Sequence, residues 1–317
     1  MSALLTFARL DQVALPAGPL HLAIGMFDGL HLGHQSVLQA ALHSARRSGG
    51  HAGVLTFWPH PSALFRPENP TRLLMPPAMK RTVLGRLGLD FVIEQNFSPE
   101  FAAIDARDFP AHLRRCLPQL AAVYVGENWR YGRGRSGTVT QLIAEARPAG
   151  FSVFSAPRLN HNGSPISSSR IRELLLAGDV AEANALLGFA YFCTGTVQPG
   201  RQLGRTIGFP TLNLAWEPEL TPRFGVYAVQ VSTATGVVLN GVANYGLRPT
   251  VDAATRPLLE VHLLEESPVT YGDNLTVIWL HFLRPEIKFS GLPELRTQIS
   301  ADREQAREYF RLKGGKA

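Results

Sequence analysis

The stretch Gly25-Met26-Phe27-Asp28-Gly29-Leu30-His31-Leu32-Gly33-His34 lies between an apolar run, Leu22 to Ile24, and a segment of helical periodicity, His34 to Ser48, in which Val37, Leu38, Ala41, Leu42 and Ala45 form one stripe. This is a strand, loop and helix unit. In an open α/β sheet ligands gather at the carboxyl ends of the strands, and a helix N-terminus there offers free N–H groups to phosphate. Glycines in the turn let a phosphate approach the backbone, and His31 and His34 add donors for charge that builds on a phosphate during nucleotidyl transfer. Gly25, Phe27, Asp28, His31, Gly33 and His34 are the candidate nucleotide contacts of this turn. Two other readings stay open: a His2Asp metal site from Asp28, His31 and His34, and histidines that merely sit in a surface loop.

Outward from this turn, further strand-like runs at Val54 to Phe57, Val123 to Val125 and Phe151 to Phe154 alternate with helical segments, the pattern of a parallel sheet in an α/β layer. Asp179 and Glu182 have the spacing of a capping box, and Gly188 suits a helix C-terminus. Beyond Gly188 the texture changes to short β segments with turn signals between them: Thr194 to Val197, Val226 to Val231, Val237 to Ala243, Leu258 to Leu264 and Leu275 to Phe282. These predict a small antiparallel barrel, followed from Leu292 by a closing helix. A length of 317 residues suits two such domains. The composition, 45% hydrophobic and 18% charged, excludes collagen, coiled coil and wholesale disorder.

Cys116 and Cys193 are the only cysteines, too few for a disulfide framework, so a reducing compartment, the cytoplasm, is expected. No apolar run is long enough to span a membrane, and no signal peptide is apparent, because Arg9 follows the apolar start. The formal charge is +6, and 27 of the 31 basic residues are arginines, whose forked guanidinium suits phosphate. An anionic substrate fits this bias. So does a compositional habit.

Three further stretches carry candidate chemistry. Gly132-Arg133-Gly134-Arg135-Ser136-Gly137 formally satisfies the dinucleotide fingerprint, but the next strand runs into Ser155, Ala156 and Pro157 with no acidic residue, so it reads as a basic ligand-covering loop. Ile166-Ser167-Ser168-Ser169-Arg170-Ile171-Arg172 enters a helix with hydroxyls and a guanidinium, a second anion cradle or an ordinary serine cap. The loop Gly200 to Asn213 brings Gly204, Gly208 and Pro210 to a possible nucleotide, and Thr211 and Asn213 supply hard oxygens for magnesium; a plain barrel hairpin competes with this. Glu260 is a lone carboxylate in the apolar run Leu258 to Leu264, sharing a face with His262; facing a barrel-end cavity it would accept a proton from a substrate hydroxyl, and a solvated outer face of the strand competes with this.

These residues together resemble the bacterial bifunctional riboflavin kinase/FAD synthetase family over nearly the whole chain. The resemblance runs through GMFDGLHLGHQ (25–35), TFWPHP (56–61), VGENWRYGRGRSGT (125–138), ISSSRIR (166–172), GRTIGFPTLN (204–213), GVANYGLRPTV (241–251), LEVHL (259–263) and RPEIKF from Arg284. It implies a nucleotidylyltransferase-like, Rossmann-like parallel α/β domain over 1–187 and an antiparallel β-barrel riboflavin kinase domain with a C-terminal helix over 188–317. It implies phosphorylation of riboflavin and adenylylation of FMN, with ATP as co-substrate and Mg2+ as cofactor, and no nucleic-acid or membrane partner. His31 and His34 would contact the ATP phosphates, Ser168, Ser169 and Arg172 would hold the triphosphate, and Asn128 and Arg130 would lie on the flavin side. Thr211 and Asn213 would coordinate magnesium and nucleotide, and Glu260 would be the base.

The chain departs from the family pattern at Asn128, Trp129, Tyr131 and Thr138, where an aspartate, two phenylalanines and an acidic residue are usual. It also departs at the domain junction Gly188-Phe189-Ala190-Tyr191 and at Leu212. A kinase that has lost FAD formation is therefore one alternative. A non-catalytic flavin or nucleic-acid binder is another, suggested by the basic composition.

Overall fold

The apolar stripe read from the sequence becomes helix α1, Leu32–Ser48, with Val37, Leu38, Ala41, Leu42 and Ala45 buried. His31 caps its start, the ring accepting a hydrogen bond from the His34 N–H. The computed structural model describes residues 4–200, 204, 208–247 and 257–314; residues 201–203 and 205–207 of the glycine loop, and 248–251 of the GVANYGLRPTV stretch, lie outside the described residues.

The chain divides into two compact units, Met1–Ser168 and Ser169–Ala317. In the first, β1 (Leu5–Phe7), β2 (Leu20–Ile24), β3 (His51–Trp58), β4 (Phe91–Asn96) and β5 (Leu120–Gly126) come before a small hairpin, β6 (Arg130–Tyr131) with β7 (Gly137–Thr138), and then β8 (Ser152–Ala156). Six of these form one sheet in the order β1-β4-β3-β2-β5-β8, every neighbouring pair parallel. All five residues of β2 are buried, as a strand covered on both faces requires. From β2 the chain winds one way through β3 and β4 and then returns to place β5 on the other side, so strand order reverses between β2 and β5. The turn Gly25 to His31 leaves β2 at that switch point, where open α/β sheets leave a crevice.

A second hairpin, β9 (Asn160–His161) with β10 (Ser164–Pro165), leads into helix Ser168–Ala177 and then helix Val180–Leu187. Asp179 caps the latter by accepting from the Glu182 N–H, but the Glu182 carboxylate pairs with Arg170 at 3.0 Å. Both helices hydrogen-bond to the barrel that follows. The Arg223 N–H and guanidinium donate to the carbonyls of Leu175 and Ala177, and the Asn184 amide donates to the carbonyl of Trp279. The sequence texture changes at Leu187, whereas the compact units divide at Ser168.

The barrel comprises β11 (Phe192–Gln198), β12 (Leu212–Ala215), β13 (Gly225–Ser232), β14 (Val238–Leu247), β15 (Pro257–Leu263) and β16 (Asn274–Arg284), closed in the order β11-β12-β15-β14-β13-β16. All pairs are antiparallel. Strand alternation sends Tyr227, Tyr245, Trp279, Leu259 and Val261 inward, where they are fully buried, and the Trp279 indole donates to the Cys193 sulfur. The outer face of β13 and β14 presents Val226, Ala228 and Val242 to Ala306 of the closing helix Leu292–Gly314.

That helix is tied down by a buried ion pair. Arg284 Nε and Nη2 donate to the two Asp302 oxygens, each at 2.7 Å, and the Gln298 amide donates to the same carboxylate at 2.9 Å. Removing one member strands the other charge, so Asp302→Ala is expected to cost about 3 kcal/mol of barrel stability, and Arg284→Met with Asp302→Leu distinctly less. Urea unfolding followed by near-UV circular dichroism checks this. Equal losses in the two variants would mean that the helix is held by its apolar face alone.

Candidate active sites

In the turn after β2, Phe27 (φ 49°), Gly29 (φ 81°) and Leu30 (φ 46°) all have left-handed backbone. Phe27 and Leu30 pay no exposure for it, being 2% and 0% exposed, and their burial holds the bend. The Asp28 carboxylate is buried and accepts from the Leu74 N–H, which pins the turn to the segment before helix Pro77–Arg86. Gly25 donates its N–H to the Leu55 carbonyl of β3, and Gly33 lies in the first turn of α1. His31 and His34 stack face to face, ring centroids 3.6 Å apart, and the edge of Phe27 abuts His34 at 5.3 Å.

Burial pushes the His31 imidazole down to about 4, and burial together with the nearby charges of His31 and Lys80 holds His34 well below the usual histidine range. His31 Nδ1 is the acceptor for the His34 N–H, which leaves Nε2 as its N–H donor. His34 Nδ1 is sealed from solvent and, among the described residues, has no hydrogen-bond partner. Among the described residues no group of three or more His, Cys, Asp and Glu side chains could hold a metal ion, so the His2Asp alternative falls.

Beside Gly25 and Met26 opens a cavity of about 570 Å³. Its walls are mainly aromatic: Phe57, Phe65, Phe97, Phe101, Phe109 and the stacked pair Trp129 and Tyr131, whose centroids lie 5.0 Å apart. Asn128, Arg130, Arg66 and Arg135 put polar and cationic groups on its rim, with Gly132 and Gly134 of the basic loop beside them. The sequence departures therefore keep an aromatic wall at 129 and 131. Thr138 serves as the cap of helix Val139–Ala146 in a reciprocal pairing with Gln141.

The Ser168 hydroxyl donates to the Asp28 carbonyl at 2.8 Å, fastening the start of helix Ser168–Ala177 to the turn. Ser169 and Arg172 follow within that helix. In the barrel, Asn213 on β12, Glu260 on β15 and Asn244 on β14 are direct register partners and so share one face. It is the outer face, the one that carries Val242 and Val226, so of the two sequence readings of Glu260 the outer face is the one its strand follows.

Gly200 and Pro210 adjoin this polar row. A Cβ on Gly200 would come within 2.2 Å of the Asn213 amide, and one on Gly204 within 2.3 Å of the Phe209 carbonyl, so both positions demand glycine. Thr211 is next to Gly204, its hydroxyl 3.5 Å from the position of that Cβ. Gly208 has φ 87°, and the Pro210 carbonyl accepts from His262 Nδ1 at 2.9 Å. The ring of Phe209 is sandwiched by His262, edge to face, and the Arg303 guanidinium.

A phosphate-type turn at the switch point of a parallel sheet, and an oxygen-rich row on a separate closed barrel, define a protein of two joined phosphate-transfer modules. The FAD synthetase family model matches residues 17–170 and the riboflavin kinase model residues 187–310. The chain is 37% identical to the bifunctional riboflavin kinase/FMN adenylyltransferase of Escherichia coli K12 over 92% of its own length and 93% of that protein's. It is 37% identical to that of Bacillus subtilis 168 over 91% and 92%. A crystal structure described as a macrolide-efflux protein from Streptococcus pneumoniae superposes with TM-score 0.86 at 28% identity, covering 96% of this chain and 99% of that one. Here, among the described residues, no helix is long and apolar enough to cross a membrane. The chain belongs to the bifunctional riboflavin kinase/FMN adenylyltransferase family and carries both of its catalytic domains.

Sequence reasoning missed Lys80, Thr56, most of the aromatic wall, Asn244 and Arg303. The stacked histidines generate a pH prediction. The folded His31 binds its proton only near pH 4 and the unfolded one near 6.5, so between these values the unfolded chain takes up more protons. Stability from this site is full above about 6.5 and is lost as pH falls through about 4, by up to about 3 kcal/mol. His31→Asn keeps a capping acceptor without that titration. Thermal unfolding between pH 7 and 4 should fall less steeply for the variant; parallel curves would show that His31 contributes nothing to the acid loss.

Proposed function

We propose that the two reactions of this enzyme run in separate sites, one in each of the domains expected over 1–187 and 188–317, and that the pairing of Asn213, Glu260 and Asn244 in one register row carries the kinase assignment. In the kinase step Glu260 accepts the proton of the ribityl 5′-hydroxyl, whose oxygen then attacks the γ-phosphorus of ATP, giving FMN and ADP. Thr211 and Asn213 offer only hydroxyl and amide oxygens, a donor set that suits magnesium, a hard ion that keeps much of its water. When bound, that ion supplies neutralising charge to the phosphate oxygens. Gly204, Gly208 and Pro210 belong to the segment that would cover the nucleotide.

In the adenylylation step the FMN phosphate attacks the α-phosphorus of a second ATP, giving FAD and pyrophosphate by direct displacement. The aromatic cavity is the place for the isoalloxazine ring, with Asn128 and Arg130 at its rim. Gly25, Phe27, Asp28 and Gly33 shape the turn that holds the phosphates. His31, His34, Ser168, Ser169 and Arg172 stabilise the charge that develops on them. No covalent intermediate with the protein is required. Cys116 and Cys193 are both free, which suits the cytoplasm.

Two variants of the full chain, incubated with ATP, magnesium and either riboflavin or FMN, separate the steps by chromatography of the products. Glu260→Gln is expected to lower FMN formation about a hundredfold or more while FAD still forms from supplied FMN. His31→Ala with His34→Ala is expected to lower FAD formation by about a hundred to a thousandfold while FMN still forms. Loss of both activities in one folded variant would overturn the separate-site reading. FMN that accumulates without FAD in the unaltered enzyme would leave a kinase alone.

A further inference from the structure

Lys80 is one of only four lysines in the chain, and it is buried, 5% exposed, in helix Pro77–Arg86. Its hydrogen-bond partners are two neutral oxygens of the phosphate turn and its neighbour strand: Nζ donates to the Met26 carbonyl at 2.8 Å and to Thr56 Oγ1 at 3.3 Å. Thr56 in turn donates to the same Met26 carbonyl at 3.0 Å, so two donors from two elements converge on one peptide. Among the described residues no carboxylate makes an ion pair with Lys80; the neighbouring Arg81 takes Glu94, at 2.7 Å. Burial drives the Lys80 ammonium down, and the fields of Asp28 and Glu94 only partly oppose this.

A buried cation without a direct counter-ion is costly, and helix Pro77–Arg86 would pack at least as well with an apolar side chain in its place. The position shows what the charge is near. The peptide that Lys80 grips lies between Gly25 and Phe27, where the backbone turns left-handed, and Met26 itself lines the aromatic cavity. The charge of Lys80 also bears on the His34 imidazole. With that carbonyl held by both Lys80 and Thr56, the backbone of the bend is fixed beside the cavity that Gly25 and Met26 line.

We propose that Lys80 is a positioning residue for adenylyl transfer: it fixes the Met26 carbonyl, and thereby the backbone of the Gly25 to His34 turn, and its charge, which no carboxylate contacts directly, favours a bound polyphosphate. This rests on the reading that the turn holds the ATP phosphates, and the arms of the experiment tell the two apart. The group touches the protein's own backbone, so its effect is expected on turnover more than on flavin affinity.

Full-length Lys80→Met, which keeps length and packing without charge, is compared with His34→Ala and the unaltered enzyme for FAD formation from FMN, ATP and magnesium, with riboflavin phosphorylation read in the same preparations. The expected result is a fall in kcat for FAD formation of about a hundredfold in Lys80→Met, with KM for FMN and the kinase rate within about threefold. A second variant, Lys80→Ala, is assayed with added propylammonium and, separately, with propanol. Rescue by the amine and not by the alcohol is expected, since only the amine restores charge and donor together; packing alone would be served by either. FAD formation within about threefold of normal in Lys80→Met overturns the proposal; so does an Ala variant that the amine does not rescue, even if Lys80→Met fails to fold. Normal FAD formation in His34→Ala overturns instead the reading of the turn beneath it.

Discussion

The turn between β2 and α1 is held in a backbone that its own residues do not favour, and the first unit is arranged around keeping it there. Left-handed φ at Phe27 and Leu30 costs on the order of 1–3 kcal/mol each. Burial of the two side chains returns roughly 2 kcal/mol apiece. The rest comes from polar anchors in every direction: Asp28 to the Leu74 N–H, Lys80 and Thr56 to the Met26 carbonyl, Gln35 to the Leu30 carbonyl and Ser168 to the Asp28 carbonyl. The parallel sheet supplies the location, because its order reverses beside β2, and the anchors supply the shape.

The barrel solves a different problem with the same economy of faces. Alternation along β12, β14 and β15 sends Leu259, Val261 and Tyr245 inward and leaves Asn213, Glu260 and Asn244 aligned on the outside. The apolar part of that outer surface is covered by Ala306 and its helix, and the polar row adjoins the segment that carries Phe209 and Pro210. Arg303 reaches from the helix to Phe209, so the closing helix and the covering segment meet through a cation and a ring.

Local patterns were legible. The stripe from Val37 to Ala45 gave α1, the histidines at its start were readable from their spacing, and the short β runs gave five of the six barrel strands. Leu212–Ala215 was hidden because its sequence reads as the end of a glycine loop, and only pairing with β11 and β15 makes it a strand. Edge strand Leu5–Phe7 is too short to announce itself, and Phe91–Asn96 loses its apolar character at Glu94 and Gln95. The aromatic wall is scattered over segments from Phe57 to Tyr131, and no window of sequence contains it. Lys80 reads as a solvated helix lysine until the helix is laid against the turn. Asn244 and Glu260 become neighbours only through register.

The barrel interior is packed with rings. Tyr227 and Tyr245 lie with ring centroids 4.7 and 5.6 Å from that of Trp279, and all three side chains are fully buried. The polar row of Asn213, Glu260 and Asn244 sits instead on the shell. Loops there can lengthen, shorten or change their side chains without unsettling the plug of rings that keeps the cylinder round, and the same frame can thus accept new clients while its heart stays untouched.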